Sequence, residues 1–278
     1  MHQSVLVTGA SSGIGEACAV FLAHKGFRVF AAARRIEKLK ELEGIAGGRI
    51  APITLDVTDD ASVAEALSAV EEQAGGLYGL VNNAGVSVMG PVETTPIDEW
   101  RRQYETNVFA VVRMCQAVLP QMRAAGRGRI VNIGSIAGRI ASPFQGVYAS
   151  SKHAVEGISD ALRRELAPHG VKVSLVRPGF INTPFGHQEQ EGLAAHAKDG
   201  EPYADQVKTY KAWHAKGHPN APGPNVVAEA VHHALTAEKP HSRYAAPKKS
   251  HGYLAMRNLL PMSANDEIIY RLMGLKKK

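Results

Sequence analysis

Short apolar runs rich in β-branched residues alternate along the chain with longer segments of amphipathic periodicity. The short runs predict strands at residues 4–8, 28–33, 49–54, 79–82, 129–134 and 172–176. The longer segments predict helices at 13–25, 36–43, 59–73, 96–125 and 148–167. Because alternating strands and helices are joined by crossovers, the pattern predicts an α/β fold, a doubly wound parallel sheet with helices on both faces.

Beyond residue 179 the alternation weakens. Residues 184–222 are polar and predict an insertion or lid, followed by a helix at 225–237, a seventh strand at 243–246 and an apolar tail at 248–278. His214 and His218 have the i, i+4 spacing of a metal pair, but no motif supplies an acidic third ligand, so we expect solvated histidines and no metal. We expect the tail to pack over the site or against a partner subunit, with a membrane surface as the alternative.

The composition of the 278 residues, 45% hydrophobic and 21% charged, is typical of one globular unit with a substantial core. We see no secretory signal and no apolar run long enough to span a membrane, so a cytoplasmic protein is expected. Cys18 and Cys115 lie in predicted helices, where buried thiols are expected rather than a disulfide. No nucleic-acid-reading motif accompanies the net charge of +6, which argues against a nucleic-acid partner.

A glycine-rich turn links the first predicted strand to the first predicted helix. Residues 8–15 have the sequence TGASSGIG and match the pattern TGxxxGxG. Glycines allow a tight turn and close backbone approach, and the N-terminus of the following helix favours a pyrophosphate. The turn therefore predicts a dinucleotide site with contacts at Gly9, Ser11, Ser12, Gly13, Ile14 and Gly15.

The residues about twenty positions further on indicate which dinucleotide binds. An acidic residue there would accept hydrogen bonds from the ribose 2′-hydroxyl of NAD, but this chain has Ala33-Arg34-Arg35. Two guanidinium groups can instead hold a 2′-phosphate, so NADP(H) is the expected cofactor and NAD(H) the less favoured one. The alternative is that Arg34 and Arg35 are ordinary basic residues at the start of a helix. We expect a single NADP-binding domain over residues 1–278.

Tyr148 and Lys152 are four residues apart in a predicted helix, which places a phenol and an ammonium on one face. A free phenol has a pKa of about 10, and a fixed neighbouring cation lowers that pKa toward the range in which a tyrosine exchanges protons. An isolated pair with this spacing is more often a surface pair, so the interpretation depends on the other motifs.

Further motifs follow in order: Asn82-Asn83-Ala84-Gly85 after the fourth strand, Asn107 in a long helix, Ser135 after the fifth strand and Pro178-Gly179 after the sixth. With the glycine-rich turn and the Tyr148 and Lys152 pair, residues 3–183 closely resemble the classical short-chain dehydrogenase/reductase family. Residues 32–35 and 138–139 are most similar to the branch that contains hydroxysteroid and retinol dehydrogenases.

The resemblance implies a Rossmann-type fold and an oxidoreductase that transfers hydride between a nicotinamide and a carbonyl or alcohol carbon. Tyr148 would be the general acid and base, and Lys152 would lower its pKa and bind the nicotinamide ribose. Ser135 would hold the substrate oxygen, and Asn107 would hold a water that links Lys152 to solvent. By the same resemblance, the cofactor would also contact Asp56, Val57, Asn83, Ala84, Gly85, Pro178, Gly179, Ile181 and Thr183. For Asp56, helix capping is the alternative.

Apolar side chains surround the expected pocket mouth, at Val86, Met89, Phe144, Phe180 and Phe185. They favour a hydrophobic ketone, aldehyde or alcohol, contacted by Ser135, Phe144, Tyr148, Phe180 and Phe185, although core packing could explain several of them. An NADP(H) cofactor favours reduction as the cellular direction, because cells usually keep that pool reduced. The alternative function is a catalytically idle NADP-binding sensor or scaffold. The resemblance also implies a homodimer or homotetramer that pairs through helices 96–125 and 148–167.

Overall fold

Seven parallel strands form the central sheet of the computed structural model, which describes residues 3–217 and 220–275. The strands are β1 Ser4–Thr8, β2 Arg28–Ala33, β3 Ile50–Thr54, β4 Gly79–Asn82, β5 Gly128–Ile133, β6 Val171–Pro178 and β7 Arg243–Ala246. They lie in the order β3-β2-β1-β4-β5-β6-β7. The predicted doubly wound parallel sheet of about seven strands is therefore confirmed.

Helices cover both faces of the sheet. In the described residues they are α1 Gly13–His24, α2 Ile36–Lys40, α3 Asp60–Ala74, α4 Ile97–Tyr104, α5 Ala110–Ala124, α6 Gly146–Leu166, α7 Pro184–Ala195, α8 Ala204–Gly217, α9 Asn225–Thr236, α10 Ser250–Leu259 and α11 Met262–Met273. Val5 and Val7 of β1 pack in one apolar core with α1 and α9, whereas Leu6 packs in another with α3, α5 and α6. Successive side chains of a strand point to opposite faces, so each strand contributes to both cores.

The strand order reverses beside β1. The chain adds β2 and β3 on one side of β1, and β4 then pairs with the opposite side. At such a switch point the crossovers leave the sheet on opposite faces and open a crevice at the carboxyl ends of the strands. The glycine-rich turn after β1 and the residues after β4 meet at this edge.

Two regions differ in detail from the sequence-based elements. The predicted helix 96–125 consists of α4 and α5 joined by a π turn at Glu105–Phe109, which carries Asn107. The polar segment 184–222 contains α7 and α8, and the tail contains α10 and α11. The division of the chain into a domain, an insertion and a tail stays a prediction.

A buried ion cluster fixes α6 to the sheet. The Glu156 carboxylate accepts hydrogen bonds from Arg177 of β6 at 2.5 and 2.8 Å, and from Arg243 of β7 at 3.0 Å. Each of these side chains is at most one-fifth exposed. Because α6 also carries Tyr148 and Lys152, the cluster holds those two side chains in place beside the sheet edge.

Candidate active site

The glycine-rich turn is packed too closely for a larger residue at two positions. Gly9 has a φ of +66°, and a Cβ there would lie 2.8 Å from the Cα of Ala84. A Cβ on Gly15 would lie 2.3 Å from the carbonyl oxygen of Gly9. Asn83 reinforces the turn by donating to the carbonyl oxygens of Thr8 and Gly9, at 2.9 and 3.3 Å. The turn thus has the close backbone packing that a pyrophosphate cradle requires.

Two arginines follow β2 beside this turn. Arg35 donates from Nη2 to the Ser11 hydroxyl at 2.9 Å and lies 3.4 Å from Oγ of Ser12. The Arg34 guanidinium is 4.0 Å from the Asp56 carboxylate, and its side chain is 75% exposed. Guanidinium and hydroxyl donors on one rim form a site for an anionic group such as a phosphate.

Asp56 stabilises the turn after β3. Its carboxylate accepts hydrogen bonds from the backbone N–H and the hydroxyl of Thr58, at 2.9 and 2.7 Å. Burial raises the pKa of this carboxyl, but these hydrogen bonds and the charges of Arg34 and Arg113 outweigh burial and lower the pKa. The N-cap of α3 is Asp59, whose side chain accepts two backbone N–H groups of the first turn. Helix capping is therefore not the role of Asp56.

Ser135, Tyr148 and Lys152 lie together at the carboxyl end of β5. Ser135 follows the strand, and its Oγ accepts a hydrogen bond from the backbone N–H of Ala137 at 3.0 Å. Tyr148 and Lys152 lie one turn apart on α6, and both are buried. The Lys152 Nζ donates to the carbonyl oxygen of Ile133 at 2.9 Å and is 5.8 Å from the centroid of the Tyr148 ring.

Burial dominates the protonation of this pair. It raises the pKa of the Tyr148 phenol, and the Glu189 carboxylate raises it further, while a hydrogen bond with Ser135 opposes both effects. Burial also lowers the pKa of Lys152 to about 8. The pKa of Tyr148 is thus shifted in the direction opposite to the one predicted from the Tyr–Lys spacing. The cause is the burial of the phenol, to which the charge of Glu189 adds, while the Lys152 ammonium donates its hydrogen bond to the carbonyl oxygen of Ile133.

Asn107 lies in the π turn between α4 and α5. Its Oδ1 accepts from the backbone N–H of Val86 at 2.8 Å, and its Nδ2 donates to the carbonyl oxygen of Val86 at 2.9 Å. The same Nδ2 lies 3.4 Å from Oγ of Ser151 on α6. The amide therefore fixes the segment after β4 against α6, and π turns are frequent at functional sites. The water between Asn107 and Lys152 stays a prediction.

A cavity of about 690 Å³ connects these elements. Three predicted site residues lie outside its wall: Gly15, Asn107 and Phe144. The wall does contain the other predicted residues, namely Gly9, Ser11, Ser12, Gly13, Ile14, Arg34, Arg35, Asp56, Val57, Asn83, Ala84, Gly85, Ser135, Tyr148, Lys152, Pro178, Gly179, Phe180, Ile181, Thr183 and Phe185.

Phe144 occupies a separate apolar cluster. It packs there with Met89 and Leu193, and its ring meets the rings of Tyr203 and Tyr210 edge-on. Core packing therefore accounts for Phe144 and Met89, as the alternative given for the apolar residues near the pocket mouth allowed. The predicted substrate contact of Phe144 does not agree with this placement.

The wall also contains residues that the sequence did not indicate. Glu189 of α7 and Tyr210 and His214 of α8 line the cavity, and all three are buried. The expectation of a solvated His214 is wrong, because its side chain is 1% exposed and its Nε2 lies 3.2 Å from the Glu189 carboxylate. His218 lies outside the described residues. The burial of His214 could have been predicted from the spacing of Tyr210, Trp213 and His214, which lie at i, i+3 and i+4 and so form one aromatic face of a helix.

The tail packs over the cavity. Tyr253 and Met256 of α10 line it, as do Ile269, Leu272 and Met273 of α11. Within residues 3–217 and 220–275, no helix combines the length and the apolar character needed to cross a membrane.

Comparisons with known proteins give a consistent result. The family described as short chain dehydrogenase matches residues 3–194. NADPH-dependent 3-dehydrocapnine reductase of Ornithobacterium rhinotracheale is 39% identical over 282 residues, covering 98% of this chain and 97% of its own. 3-Ketodihydrosphingosine reductase of Bacteroides thetaiotaomicron is 41% identical over 203 residues, covering 73% of this chain and 72% of its own. A solved short-chain dehydrogenase from Streptomyces avermitilis superposes with a TM-score of 0.80 at 30% identity, covering 99% of this chain and 96% of its own.

Proposed function

Because the chain belongs to the short-chain dehydrogenase family, we propose that it reduces the carbonyl group of a hydrophobic substrate, with NADPH as hydride donor and Tyr148 as proton donor. The observation that carries this proposal is that Ser135, Tyr148 and Lys152 line the same cavity as the glycine-rich turn. When bound, NADPH supplies the hydride. The chain supplies the positions of the reacting groups and the charges around them.

The residues of the turn fit NADP(H) better than NAD(H). At Gly9 and Gly15 a larger residue would fill the cradle, as expected of a pyrophosphate site. The position that would be acidic in an NAD site is Ala33, and the guanidinium groups of Arg34 and Arg35 stand beside it. One relative is itself named as NADPH-dependent. We therefore assign the 2′-phosphate to Arg34 and Arg35.

Ser135 and Tyr148 have complementary tasks in the proposed reduction. The Ser135 Oγ already accepts from the N–H of Ala137, which leaves its hydrogen to donate to a substrate carbonyl oxygen. The raised pKa of Tyr148 keeps the phenol protonated at neutral pH, so it has a proton to give as the alkoxide forms. The ammonium of Lys152 would stabilise the phenolate that proton transfer leaves behind.

The names of the two relatives suggest a class of carbonyl substrate. One is named as a reductase of 3-dehydrocapnine and the other as a reductase of 3-ketodihydrosphingosine, and the second name describes a ketone. Phe180, Phe185 and Trp213 give the cavity of this chain apolar surfaces that suit an alkyl chain. We therefore include long-chain ketones among the substrates to test first.

The proposal is tested by following NADPH oxidation with long-chain ketones and short aldehydes. We expect turnover of the long-chain ketones, and a loss of roughly 10²- to 10⁴-fold in kcat for Tyr148→Phe, since positioned proton transfer contributes that much. Tyr104→Phe is the matched control, because Tyr104 does not line the cavity. Full activity of Tyr148→Phe would overturn the mechanism, and NADPH binding without turnover of any carbonyl would favour the sensor alternative.

We also propose a homodimer or homotetramer that pairs through α4, α5 and α6. An exposed large apolar side chain supports a contact there: Phe109, in the π turn between α4 and α5, is 53% exposed. Sedimentation equilibrium tests this proposal, and a monomer at micromolar concentration would overturn it. The cytoplasmic location stays a prediction of the sequence.

A further inference from the structure

Glu189 and His214 form a buried polar pair in the wall of the cavity. The Nε2 of His214 lies 3.2 Å from Oε2 of Glu189, and the two side chains are 1% and 8% exposed. The Ser87 hydroxyl donates to Oε1 of Glu189 at 3.1 Å. Removing a carboxylate from water costs free energy that a buried pair often fails to recover, and apolar side chains of similar size are often more stabilising. A purely structural role would therefore not favour this pair.

Tyr210 lies next to the pair and carries a buried hydroxyl. Its ring is fully buried and stacks on the His214 imidazole, with the ring centroids 5.9 Å apart. Within the described part of the chain, its hydroxyl makes no hydrogen bond. Buried tyrosine hydroxyls ordinarily find a partner. Because Tyr210 lines the cavity together with Glu189, a ligand in the cavity is the partner that the geometry points to.

The negative charge of Glu189 reaches the reacting end of the cavity. After burial, it is the next largest cause that raises the pKa of both Tyr148 and Tyr210. Proton transfer to a substrate leaves a phenolate at Tyr148, and a second negative charge in the same cavity opposes that step. A protonated amine bound beside Glu189 would add a positive charge on this side of the cavity and so stabilise the phenolate.

We propose that Glu189 and Tyr210 bind the protonated amine of an amino ketone substrate. The inference rests on the proposed function, because it requires the carbonyl to lie at Tyr148 and Ser135. A protonated amine only donates hydrogen bonds, and it therefore matches the carboxylate and phenol oxygens. His214 and Ser87 are positioning residues, which orient the carboxylate of Glu189.

The rest of the wall suits the remainder of such a molecule. Trp213, Met256 and Ile269 give it apolar surfaces, and Tyr253 and Leu272, which also line it, are about half exposed. A long alkyl chain can therefore lie against the wall and reach solvent at its far end. The substrate class inferred for the cavity is a long-chain amino ketone.

The test compares two ketones with the same alkyl chain, 3-ketodihydrosphingosine and an analogue in which hydrogen replaces the amino group. With NADPH and the wild-type enzyme, we expect kcat/KM to be roughly 10- to 100-fold higher for the amino ketone, which is the effect of a hydrogen bond to a charged group. In Glu189→Gln this preference should fall to about 3-fold or less, mainly through KM, because the neutral amide no longer attracts the cation. Glu191→Gln, which is exposed on the same helix, is the matched control and should keep the wild-type preference.

Tyr210→Phe separates ligand binding from folding. The Tyr210 hydroxyl has no partner among the described residues, so its loss should leave the Tm unchanged or raise it slightly. The same variant should reduce the preference for the amino ketone by roughly 3- to 10-fold. A role confined to folding would give the reverse, with a lower Tm and an unchanged preference.

The outcomes distinguish the inference from the function on which it rests. Equal kcat/KM for the two ketones in the wild type would overturn amine binding and leave carbonyl reduction standing. A preference that survives both Glu189→Gln and Tyr210→Phe would also overturn amine binding at this site. Reduction of neither ketone would overturn the inference, and the proposed function would be overturned with it only if no carbonyl of the wider panel is reduced. If Glu189→Gln fails to fold, the preference measured for Tyr210→Phe decides.

Discussion

Replacing Arg35 with alanine should weaken the discrimination between NADPH and NADH more than replacing Arg34 does. Arg35 already donates to the Ser11 hydroxyl at 2.9 Å and lies close to Ser12. Arg34 is 75% exposed, and part of its charge faces Asp56 at 4.0 Å. Ordering a long side chain costs conformational entropy. Because Arg35 is already held in place, it loses less entropy than Arg34 when a phosphate binds.

The magnitude follows from the exposure of the two side chains. Two unit charges about 4 Å apart interact by about 1 kcal/mol in water and by about 4 kcal/mol near a protein surface. Both arginines reach solvent, so we take about 2 kcal/mol for Arg35 and about 1 kcal/mol for Arg34. Those energies correspond to losses of about 30-fold and about 5-fold in the ratio of kcat/KM for NADPH to that for NADH.

The assay measures initial rates of ketone reduction with each cofactor at low and high salt. Because the charges are exposed, the wild-type ratio should itself fall as salt rises, and it should fall less in Arg35→Ala. Arg101→Ala, exposed on α4, is the control for a lost surface cation. The double substitution Ala33→Asp and Arg34→Ala should shift the preference toward NADH, because a carboxylate there binds the ribose 2′-hydroxyl and repels a phosphate. An unchanged ratio in Arg35→Ala would refute the phosphate site, and a larger effect in Arg34→Ala would refute the argument from positioning.

Three measurements test other parts of the site. The kcat/KM for reduction should fall above about pH 8, because burial lowers the pKa of Lys152 to about 8 and its side chain is neutral above that pH. A profile that stays flat to about pH 9 would contradict this role of Lys152. Glu156→Gln should lower the free energy of unfolding in urea by about 2 to 3 kcal/mol, since it weakens the buried ion cluster, whereas exposed Glu165→Gln should change it by less than about 0.5 kcal/mol. Equal losses in both variants would show that the cluster does not hold α6. Gly15→Ala should weaken NADPH binding by about 10-fold in a fluorescence titration, because the added Cβ would clash with the carbonyl oxygen of Gly9. Wild-type affinity in this variant would contradict the close packing of the turn.

The sheet and the placement of Tyr148 and Lys152 on one helix could be predicted because local patterns mark them. Each strand is a contiguous apolar run, and the turn at 8–15 carries its own glycines. Tyr148 and Lys152 are recognisable because a helix fixes the geometry of residues four apart. A predicted helix does not reveal where its side chains point in the folded protein. Burial of the phenol, and after it the charge of Glu189, raises the pKa of Tyr148, and both depend on how the helices pack around the ring.

The polar pair in the cavity could not be predicted from composition. Glu189 and His214 lie in a segment whose polar residues indicate solvated surface. Their burial depends on how α7 packs against α8 and on the approach of Ser87 from the segment after β4. Phe144 shows the opposite error, since an aromatic residue near the expected pocket mouth belongs to a neighbouring core. Tertiary packing decides both cases.

The side chains that line the cavity come from two parts of the chain, one inside the region that matches the family and one beyond it. Ser135, Tyr148 and Lys152 belong to the stretch that the family shares, which ends at residue 194. Much of the opposite wall comes from α8, α10 and α11, which lie beyond that stretch. Mutations in these three helices can change which molecules the cavity accepts without altering Ser135, Tyr148 or Lys152. Members of the family can therefore share one chemistry and differ in the substrates that they accept.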